Sequence, residues 1–342
     1  MKAIIVRAVG GPEQLEYVDW PDPVLAAGDV LIEVKAAACN RADIWLRQGR
    51  LGALPMVPGI DAAGVVIDKA SDVPGLPNGT RVLLNPAITC DACEYCYAGE
   101  HGICRQRTAL GQFRDGSFAQ YVKIPWRNVH PIRDDLSFEE AAAIPSAFFT
   151  AWQLLTSRGN VTAGDAVLVM AAGSGVGTAA VQIAKLLGAH VVATAGSGAK
   201  LDRARELGAD VCINYSTHND WVQAIRDATD GKGPNVILDT VGSAYWGDYM
   251  RCLRPGGRII AFSFTAGQHP QVDIDTMVRN QYSIIASSPQ GAKGICERVV
   301  ELVNQGRLRG VVDRVFPLKE AAAAQTAMED RGVIGKVVLV PD

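Results

Sequence analysis

The sequence predicts an α/β protein of two domains, a β-rich domain followed by a doubly wound parallel sheet. Three observations lead to this fold class. The chain has 342 residues, which is long for a single hydrophobic core. Short strand-like runs between glycine and proline turns fill the chain up to about Pro145, a pattern typical of antiparallel sheet. From about Glu139 onwards, strand and helix candidates alternate, as they do around a parallel sheet.

The composition is that of an ordinary soluble globular protein, with 48% hydrophobic and 20% charged residues. The net charge of -3 argues against nucleic acid or an anionic membrane as the main partner. The apolar run in the opening residues, MKAIIVRAVGGPE, is too short for a signal peptide, and none of the apolar runs in the chain is long enough to span a bilayer. We therefore expect a cytoplasmic protein that acts on a small molecule.

In the β-rich region, apolar runs bounded by turn residues predict the strands. These runs lie at 3–6, 30–34, 61–68, 79–85 and 116–124. Residues 36–50 are predicted as a loop that leads into a short helix. A longer helical pattern at 139–155 then leads into the region of alternating strands and helices.

The second region begins with a glycine-rich turn. An apolar run at 166–172 is followed by glycines at alternate positions, a helical pattern that Gly188 ends, and a second apolar run at 191–195. Glycines let a backbone approach a pyrophosphate, and the helix N-terminus offers N–H groups to it. Since Ala172 and Ser174 stand in the first two positions of the G-x-G-x-x-G spacing, a tight turn of another α/β protein is the alternative. The surrounding βαβ unit favours dinucleotide binding, with these candidates: Gly173, Ser174, Gly175, Val176 and Gly177.

The remaining elements continue the alternation and then change character. Strands are predicted at 211–214, 235–240, 258–262 and 283–286, and helices at 200–207, 219–228 and 245–253. After these, a helix at 292–304, a strand at 311–317, a helix at 319–329 and a strand at 335–340 are more like the first region. The predicted domains are therefore 1–145 and 146–288, with 289–342 returning to pack on the first domain.

Four of the eight cysteines lie close together in a loop with few apolar residues. They are Cys90, Cys93, Cys96 and Cys104. Four thiolates at such spacing can surround one tetrahedral Zn²⁺, which makes a closed, structural site. Free or redox-active cysteines are the alternative, and the cytoplasmic setting disfavours it. His101 lies among them and is expected to be a solvated loop histidine.

Several motifs together resemble the medium-chain dehydrogenase/reductase superfamily, which includes zinc-type alcohol dehydrogenases and quinone oxidoreductases. Besides the cysteine lobe and the glycine-rich turn, they are Gly-Gly-Pro-Glu at 10–13, Val-Pro-Gly at 57–59, Gly-Ser-Phe-Ala-Gln-Tyr-Val at 116–122, Thr-Ala-Trp at 150–152 and Gly-Lys-Val-Val at 335–338. The resemblance covers essentially the whole chain. It implies a GroES-like β-rich catalytic domain plus a Rossmann doubly wound parallel-sheet domain.

The chain departs from this family at the catalytic zinc. The resemblance places the three protein ligands of that metal at Asn40, Ile60 and Ser146, none of which suits zinc in this role. Cys39 is one residue out of place and is expected to be a small buried residue; with Asp61 it would not complete a typical site. We therefore expect one structural zinc per chain and no catalytic zinc.

Without this Lewis acid, oxidation of simple alcohols is disfavoured, while reduction of a quinone or an α,β-unsaturated carbonyl remains feasible. The candidates on the nicotinamide side of the active site are Asn40, Asp43 and Thr150, with Asn40 as a hydrogen-bond donor. For Asp43, an anchoring hydrogen bond within the loop is an equal alternative. Two other functions stay open, a zinc-dependent dehydrogenase acting on alcohols, aldehydes or ketones and a binding protein without activity.

The cofactor is expected to be NADPH. The second strand of the βαβ unit ends in Ala195-Gly196-Ser197, without the acidic residue that binds the ribose of NAD. Ser197 and Lys200 are candidates for the 2′-phosphate, and the resemblance implies the same role for Tyr215. Lys336 is a further cofactor-binding candidate. A solvated lysine and a loop aromatic are the alternatives for Lys200 and Tyr215.

The resemblance also implies that the chain associates. The last strand of the parallel sheet, at 282–287, would pair with a second chain, because an exposed strand edge is sticky unless it is covered. We expect a homodimer or a homotetramer.

Overall fold

The computed structural model describes residues 1–288 and 294–342, and the chain divides into two compact units. The first unit comprises Met1–Ser146 together with the C-terminal segment that ends at Asp342. The second unit begins at Ala147.

The N-terminal part of the first unit consists mainly of antiparallel sheet. Its strands are β1 (Lys2–Val6), β2 (Leu15–Asp19), β3 (Asp29–Ala38), β4 (Asp61–Lys69), β5 (Arg81–Leu84), β6 (Ala87–Ile88), β7 (Thr108–Ala109), β8 (Tyr121–Pro125) and β9 (Val129–Pro131). Three short helices accompany them, α1 (Arg41–Arg47), α2 (Glu94–Tyr97) and α3 (Phe138–Ala142). Strand β3 is the centre of this part, because it pairs with both β4 and β8.

The second unit is a doubly wound sheet. Its elements in order are α4 (Thr150–Gln153), β10 (Ala166–Val169), α5 (Gly175–Leu186), β11 (His190–Ala195), α6 (Gly198–Glu206), β12 (Val211–Asn214), α7 (Trp221–Asp227), β13 (Val236–Asp239), α8 (Trp246–Cys252), β14 (Arg258–Ala261), α9 (Ile274–Asn280) and β15 (Ser283–Ala286). The strand order is β12-β11-β10-β13-β14-β15, and each pair is parallel. The order reverses at β10, which the glycine-rich turn follows, and this is where α/β sheets bind ligands.

The C-terminal segment completes the sheet of the first unit. It contains α10 (Ile295–Asn304), β16 (Val312–Pro317), α11 (Ala321–Glu329) and β17 (Lys336–Val340). Strand β17 runs antiparallel to β3, with Val338 opposite Ala38, and β16 lies outside it. The resulting sheet has the order β16-β17-β3-β4-β5-β9, and β8 is attached to β3. This pairing brings the residue that begins β17 next to the end of β3.

Each unit has its own apolar core. In the first, strand residues such as Ile32, Val66 and Leu339 pack with Leu318 and Ala324 from the C-terminal segment. In the second, the sheet residues Leu168, Val192 and Ile237 pack with Trp221 and Tyr249 from helices α7 and α8. The α/β fold with an antiparallel and a parallel sheet confirms the fold class that the sequence predicts.

Besides the short strands β6, β7 and β9, which the sequence prediction lacks, the elements differ from that prediction in three places. The helix predicted over 139–155 is broken, because α3 ends at Ala142 and a π-helical turn at Pro145–Phe149 precedes α4. The strand predicted over 116–124 forms only from Tyr121 onwards, as β8. Before it, Gly116 donates its backbone N–H to the Val57 carbonyl. The sequence prediction lacks helix α9. None of its residues is buried, and its sequence accordingly has only a weak apolar stripe.

Strand β15 forms one edge of the parallel sheet. Its Ile284 side chain is partly exposed, and the association of chains through this strand stays a prediction. None of the helices formed by the described residues has the length and the apolar character that crossing a membrane requires.

Candidate functional site

The cysteine lobe has the geometry of a zinc site. The four sulfur atoms of Cys90, Cys93, Cys96 and Cys104 all lie within 4.8 Å of one another. The Cys104–Cys90, Cys93–Cys96 and Cys90–Cys96 sulfur pairs are 3.5, 3.6 and 3.9 Å apart. Zn–S bonds of about 2.3 Å in a tetrahedron place sulfur atoms about 3.8 Å apart. The four thiols therefore fit one tetrahedral zinc ion with no position left for a substrate.

The protein around these thiols favours thiolate at one of them. Backbone N–H groups, first that of Arg105 and then that of Cys96, lower the pKa of the Cys93 thiol to about 6. Burial raises the pKa of the Cys96 thiol to about 12, so this ligand depends on the metal for its ionisation. The side chain of His101 is only 18% exposed and lies 3.7 Å from Asp91, so the expectation of a solvated histidine is wrong.

A second polar cluster in the first unit surrounds a buried carboxylate. We call it the Asp61 cluster, and it comprises Asn40, Asp61, Ser146 and Lys336. The Asp61 side chain is fully buried. Its Oδ1 accepts from the Ser146 hydroxyl at 2.6 Å and from the Ser146 backbone N–H at 3.0 Å. Its Oδ2 accepts from the Asn40 amide at 2.9 Å and from the Lys336 ammonium at 3.1 Å.

Four different elements bring this cluster together. Asn40 is the residue before α1, Asp61 begins β4, and Lys336 begins β17. Ser146 belongs to the π-helical turn that Pro145 starts. Pairing of β17 with β3 places Lys336 beside Asn40, and the two side chains form a hydrogen bond of 2.5 Å. The cluster therefore depends on the return of the C-terminal segment to the sheet.

These residues do not fit a catalytic zinc. Asn40, Ile60 and Ser146 stand where the resemblance places the ligands, and Ile60 offers no ligand atom. Asp61 is the nearby carboxylate, and each of its two oxygens already accepts two hydrogen bonds. Burial raises the pKa of the Cys39 thiol far above its ordinary value, so this side chain stays protonated. A zinc site needs ionised or imidazole ligands with free lone pairs.

The structure also corrects the role predicted for Asn40. Its amide nitrogen donates to the Ala38 carbonyl at 3.1 Å and to Asp61, so both N–H groups are engaged. Its oxygen accepts from Lys336. In this arrangement Asn40 has no N–H group left for a substrate and instead positions the ammonium group of Lys336.

Asp43 makes the contacts of a loop anchor, the alternative that the sequence leaves open. Its carboxylate is fully buried and accepts the backbone N–H groups of Asn40 at 2.7 Å and Gly59 at 3.1 Å. It thus ties the start of α1 to the loop before β4. Burial raises the pKa of Asp43 to about 7, against the opposing effect of these two hydrogen bonds.

The glycine-rich turn of the second unit is shaped by close backbone packing. Ser174 caps α5, accepting the Gly177 N–H at 3.0 Å. A Cβ atom at Gly177 would lie 2.3 Å from the Ala171 carbonyl oxygen, and one at Gly173 would lie 2.6 Å from Cγ of Lys200. Backbone atoms therefore exclude a side chain at Gly177, whereas a side chain at Gly173 would require Lys200 to move. The helix begins at Gly175 followed by Val176. The turn can hold a dinucleotide pyrophosphate against the N-terminus of α5.

Three other predicted cofactor residues lie beside this turn or beside the end of β11. The aliphatic stem of Lys200 lies against Gly173. The Tyr215 hydroxyl would lie 3.4 Å from a Cβ atom at Gly196, and its ring centre is 5.5 Å from that of Tyr245. Ser197 precedes α6 and is exposed. Thr150 begins α4 and is 1% exposed.

The sequence prediction does not identify two acidic residues whose hydrogen bonds hold loops in place. The role of Asp61 rests on pairing with a lysine 275 positions away, which no local pattern reveals. Asp239 ends β13 and accepts from Trp246 at 3.0 Å and from Tyr249 at 3.1 Å. Burial raises its pKa, and these donors oppose that effect. The signal for both was an acidic residue at the edge of an apolar run.

We expect about one zinc ion per chain, bound by the cysteine lobe. Cys104→Ser should reduce the zinc content well below one and lower the melting temperature, because structural zinc contributes directly to folding. Metal analysis and thermal unfolding, each with and without a chelator, measure both effects. Cys212→Ser, outside the lobe, is the control that should keep its zinc. A zinc-free wild type would contradict the assignment.

Asp43→Asn should lower the free energy of unfolding by about 2–3 kcal/mol near pH 5.5, because the amide cannot accept both N–H groups. The unfolded aspartate titrates near pH 4, below the native pKa of about 7. Stability from this group is therefore full below about pH 4 and is lost as the pH rises through about 7.

The advantage of wild type over Asp43→Asn should thus shrink by about 2 kcal/mol between about pH 5.5 and pH 8.5. Urea unfolding at both pH values measures this difference. Asp134→Asn on the exposed surface serves as the control. An advantage that stays constant between these pH values would show that Asp43 is ionised in the native protein throughout this range.

Comparisons with known proteins agree with this architecture. A family model described as alcohol dehydrogenase GroES-like domain matches residues 26–134, and one described as zinc-binding dehydrogenase matches residues 175–305. A zinc-type alcohol dehydrogenase-like protein of Schizosaccharomyces pombe is 30% identical, over 100% of this chain and 99% of its own length. An alcohol dehydrogenase of Geobacillus stearothermophilus is 30% identical over the full length of both chains.

A solved structure is more similar still. The crystal structure of an NAD-dependent alcohol dehydrogenase is 43% identical, with a TM-score of 0.96 over 99% of both chains. Full-length similarity at this level extends over both units of the chain and their sheets. The protein is therefore an oxidoreductase that belongs to the medium-chain dehydrogenase/reductase superfamily.

Proposed function

We propose that the protein is an NADPH-dependent reductase that transfers hydride to a quinone or an α,β-unsaturated carbonyl without a catalytic metal. The observation that carries this proposal is the Asp61 cluster. Where the resemblance places the ligands of a catalytic zinc, the chain has Asn40, Ile60 and Ser146, and the neighbouring carboxylate is saturated with donors.

The chemistry of the acceptor follows from this donor set. Oxidation of a simple alcohol depends on a Lewis acid that makes the alkoxide accessible near neutral pH. Reduction of a conjugated carbonyl needs only stabilisation of the oxygen that becomes negative, which hydrogen-bond donors supply. The bound nicotinamide would supply the hydride. Hydride would add to the β-carbon, the C=C electron pair would form the C=C bond of the enolate, the carbonyl π pair would move onto the oxygen, and water would protonate the product.

The second unit supports binding of a nicotinamide dinucleotide. Its glycine-rich turn and the N-terminus of α5 suit the pyrophosphate. The end of β11 carries Ala195, Gly196 and Ser197, so a carboxylate that would repel a 2′-phosphate is missing from this strand end. Lys200 and Tyr215 flank the same region and offer a positive charge and a hydroxyl. This arrangement favours NADPH over NADH.

We expect the enzyme to bind NADPH at least about tenfold more tightly than NADH, the difference that one charge-assisted hydrogen bond can supply. Lys200→Ala should remove most of this preference and leave NADH binding nearly unchanged. Fluorescence titration with both cofactors measures it. Lys319→Ala, at an exposed lysine of the first unit, is the control. Equal weakening of both cofactors by Lys200→Ala would contradict the role of this lysine.

An acceptor screen tests the reaction itself. Oxidation of NADPH should proceed with quinones and enones and should be slow with simple aldehydes and ketones. Brief incubation with a chelator should leave the rate unchanged, because the metal in the cysteine lobe is structural. Activity confined to aldehydes or ketones, and abolished by the chelator, would overturn the proposal.

The second candidate is a zinc-type dehydrogenase that acts on alcohols, aldehydes or ketones. It is favoured by the description of the relatives above, including one 43% identical protein described as an NAD-dependent alcohol dehydrogenase. This candidate requires a second zinc ion per chain with three protein ligands. The zinc content and the chelator arm of the screen therefore separate the two candidates.

A further inference from the structure

We propose that the ammonium group of Lys336 supplies the positive charge at the substrate oxygen, in place of a catalytic metal. The inference rests on the proposed function for the identity of that oxygen, which belongs to a quinone or enone. Lys336 would donate an N–H to it and stabilise the phenolate or enolate that forms when hydride arrives.

The first observation is the burial of a charged group. The Lys336 side chain is only 6% exposed, and such a cation is stable inside a protein only when it has hydrogen-bond acceptors and a counter-charge. Its partners are Asp61 at 3.1 Å and the Asn40 oxygen at 2.5 Å. These two contacts hold the ammonium in one place and leave the cluster close to neutral.

The second observation is a spare donor. An ammonium group has three N–H bonds, and Lys336 uses two of them. Within the part of the chain that the structure describes, no third acceptor for Nζ is found. A buried N–H without an acceptor is costly, so an oxygen from a bound molecule would satisfy it. The remaining N–H is thus available to a ligand.

The third observation is how firmly the other members are engaged. Both N–H groups of the Asn40 amide and the Ser146 hydroxyl are directed at protein acceptors. Of the four members, Lys336 therefore retains the donor that can serve a substrate. Asp61 also accepts hydrogen bonds from Ser146, so its negative charge is shared among several donors. It therefore orients the ammonium group of Lys336 and leaves part of that positive charge for a substrate oxygen.

The reaction balances with these groups. As hydride bonds to the β-carbon, the C=C electron pair becomes the C=C bond of the enolate and the carbonyl π pair moves onto oxygen. The N–H of Lys336 donates to that anionic oxygen, and proton transfer from water completes the reduction. A preorganised donor at a developing oxyanion contributes on the order of 100-fold to 1,000-fold in rate.

The test uses the full-length enzyme in the presence of NADP⁺, with 4-nitrophenol as the probe. A phenolate oxygen resembles the reduced product, and its visible absorbance reports ionisation. Wild type should bind the probe and raise the fraction present as phenolate. This corresponds to a fall of about one unit in the pKa of bound 4-nitrophenol, a tenfold change in its ionisation equilibrium. Lys336→Met should abolish this effect and lower kcat for an enone about 100-fold, with the Kd for NADPH unchanged within about twofold.

Matched variants keep the test informative. Lys336→Arg retains the charge and should recover part of the phenolate effect. Should Lys336→Met fold poorly, the double variant Lys336→Met/Asp61→Asn removes both buried charges together and replaces it. Lys319→Met changes an exposed lysine and should behave as wild type.

The outcomes separate this inference from the proposed function. Phenolate binding that is weak in wild type, or equal in wild type and Lys336→Met, overturns the role of Lys336. A loss of NADPH affinity without any loss of the phenolate effect also overturns it, in favour of a cofactor contact. Phenolate binding through Lys336 without reduction of any quinone or enone supports the inference and overturns the proposed function.

Discussion

The first unit depends on one constraint, the full burial of the Asp61 carboxylate. An unpaired buried charge costs several kcal/mol, and leaving a buried ion pair with one partner costs about 3–5 kcal/mol. Asp61 avoids this cost with four donors from three residues. Satisfying it fixes the residue before α1, the π-helical turn after α3 and the first residue of β17. The carboxylate thus connects the sheet, the C-terminal segment and the candidate site.

The cysteine lobe and the Asp61 cluster correspond to the two roles that metals have in the family, one in folding and one in catalysis. The lobe keeps four thiols at distances that suit zinc, and its contribution is to folding. In the Asp61 cluster, an amide and a hydroxyl stand at two of the positions where the resemblance places metal ligands, and an ammonium group lies beside them. This donor set does not fit a catalytic zinc, and under the proposed function it would stabilise a negative oxygen instead. Under the proposed function, this change of residues would alter which substrates are reduced, while the sheets that carry the cluster keep the fold of the family.

Much of the fold and the cofactor turn could be predicted, because their signals are local. The periodicity of α5 and the glycines at 173, 175 and 177 predict the turn, and the cysteine spacing predicts the lobe. The Asp61 cluster was not predictable in this way, since Lys336 and Asn40 are 296 positions apart. Asn40 and Asp43 are predicted as candidates for the nicotinamide side of the active site, and this placement stays a prediction. Their roles as positioning group and anchor depend on side-chain directions that spacing does not determine.

The Asp61 cluster contains two of the three positions at which the resemblance places the ligands of a catalytic zinc, and we propose that it binds no metal. The most direct measurement is X-ray diffraction at the zinc absorption edge, from crystals grown with excess zinc. The account predicts one anomalous peak among Cys90, Cys93, Cys96 and Cys104, and the Lys336 side chain in contact with Asp61 and Asn40. A second peak beside Asn40, Asp61 or Ser146, with Lys336 displaced, would contradict it.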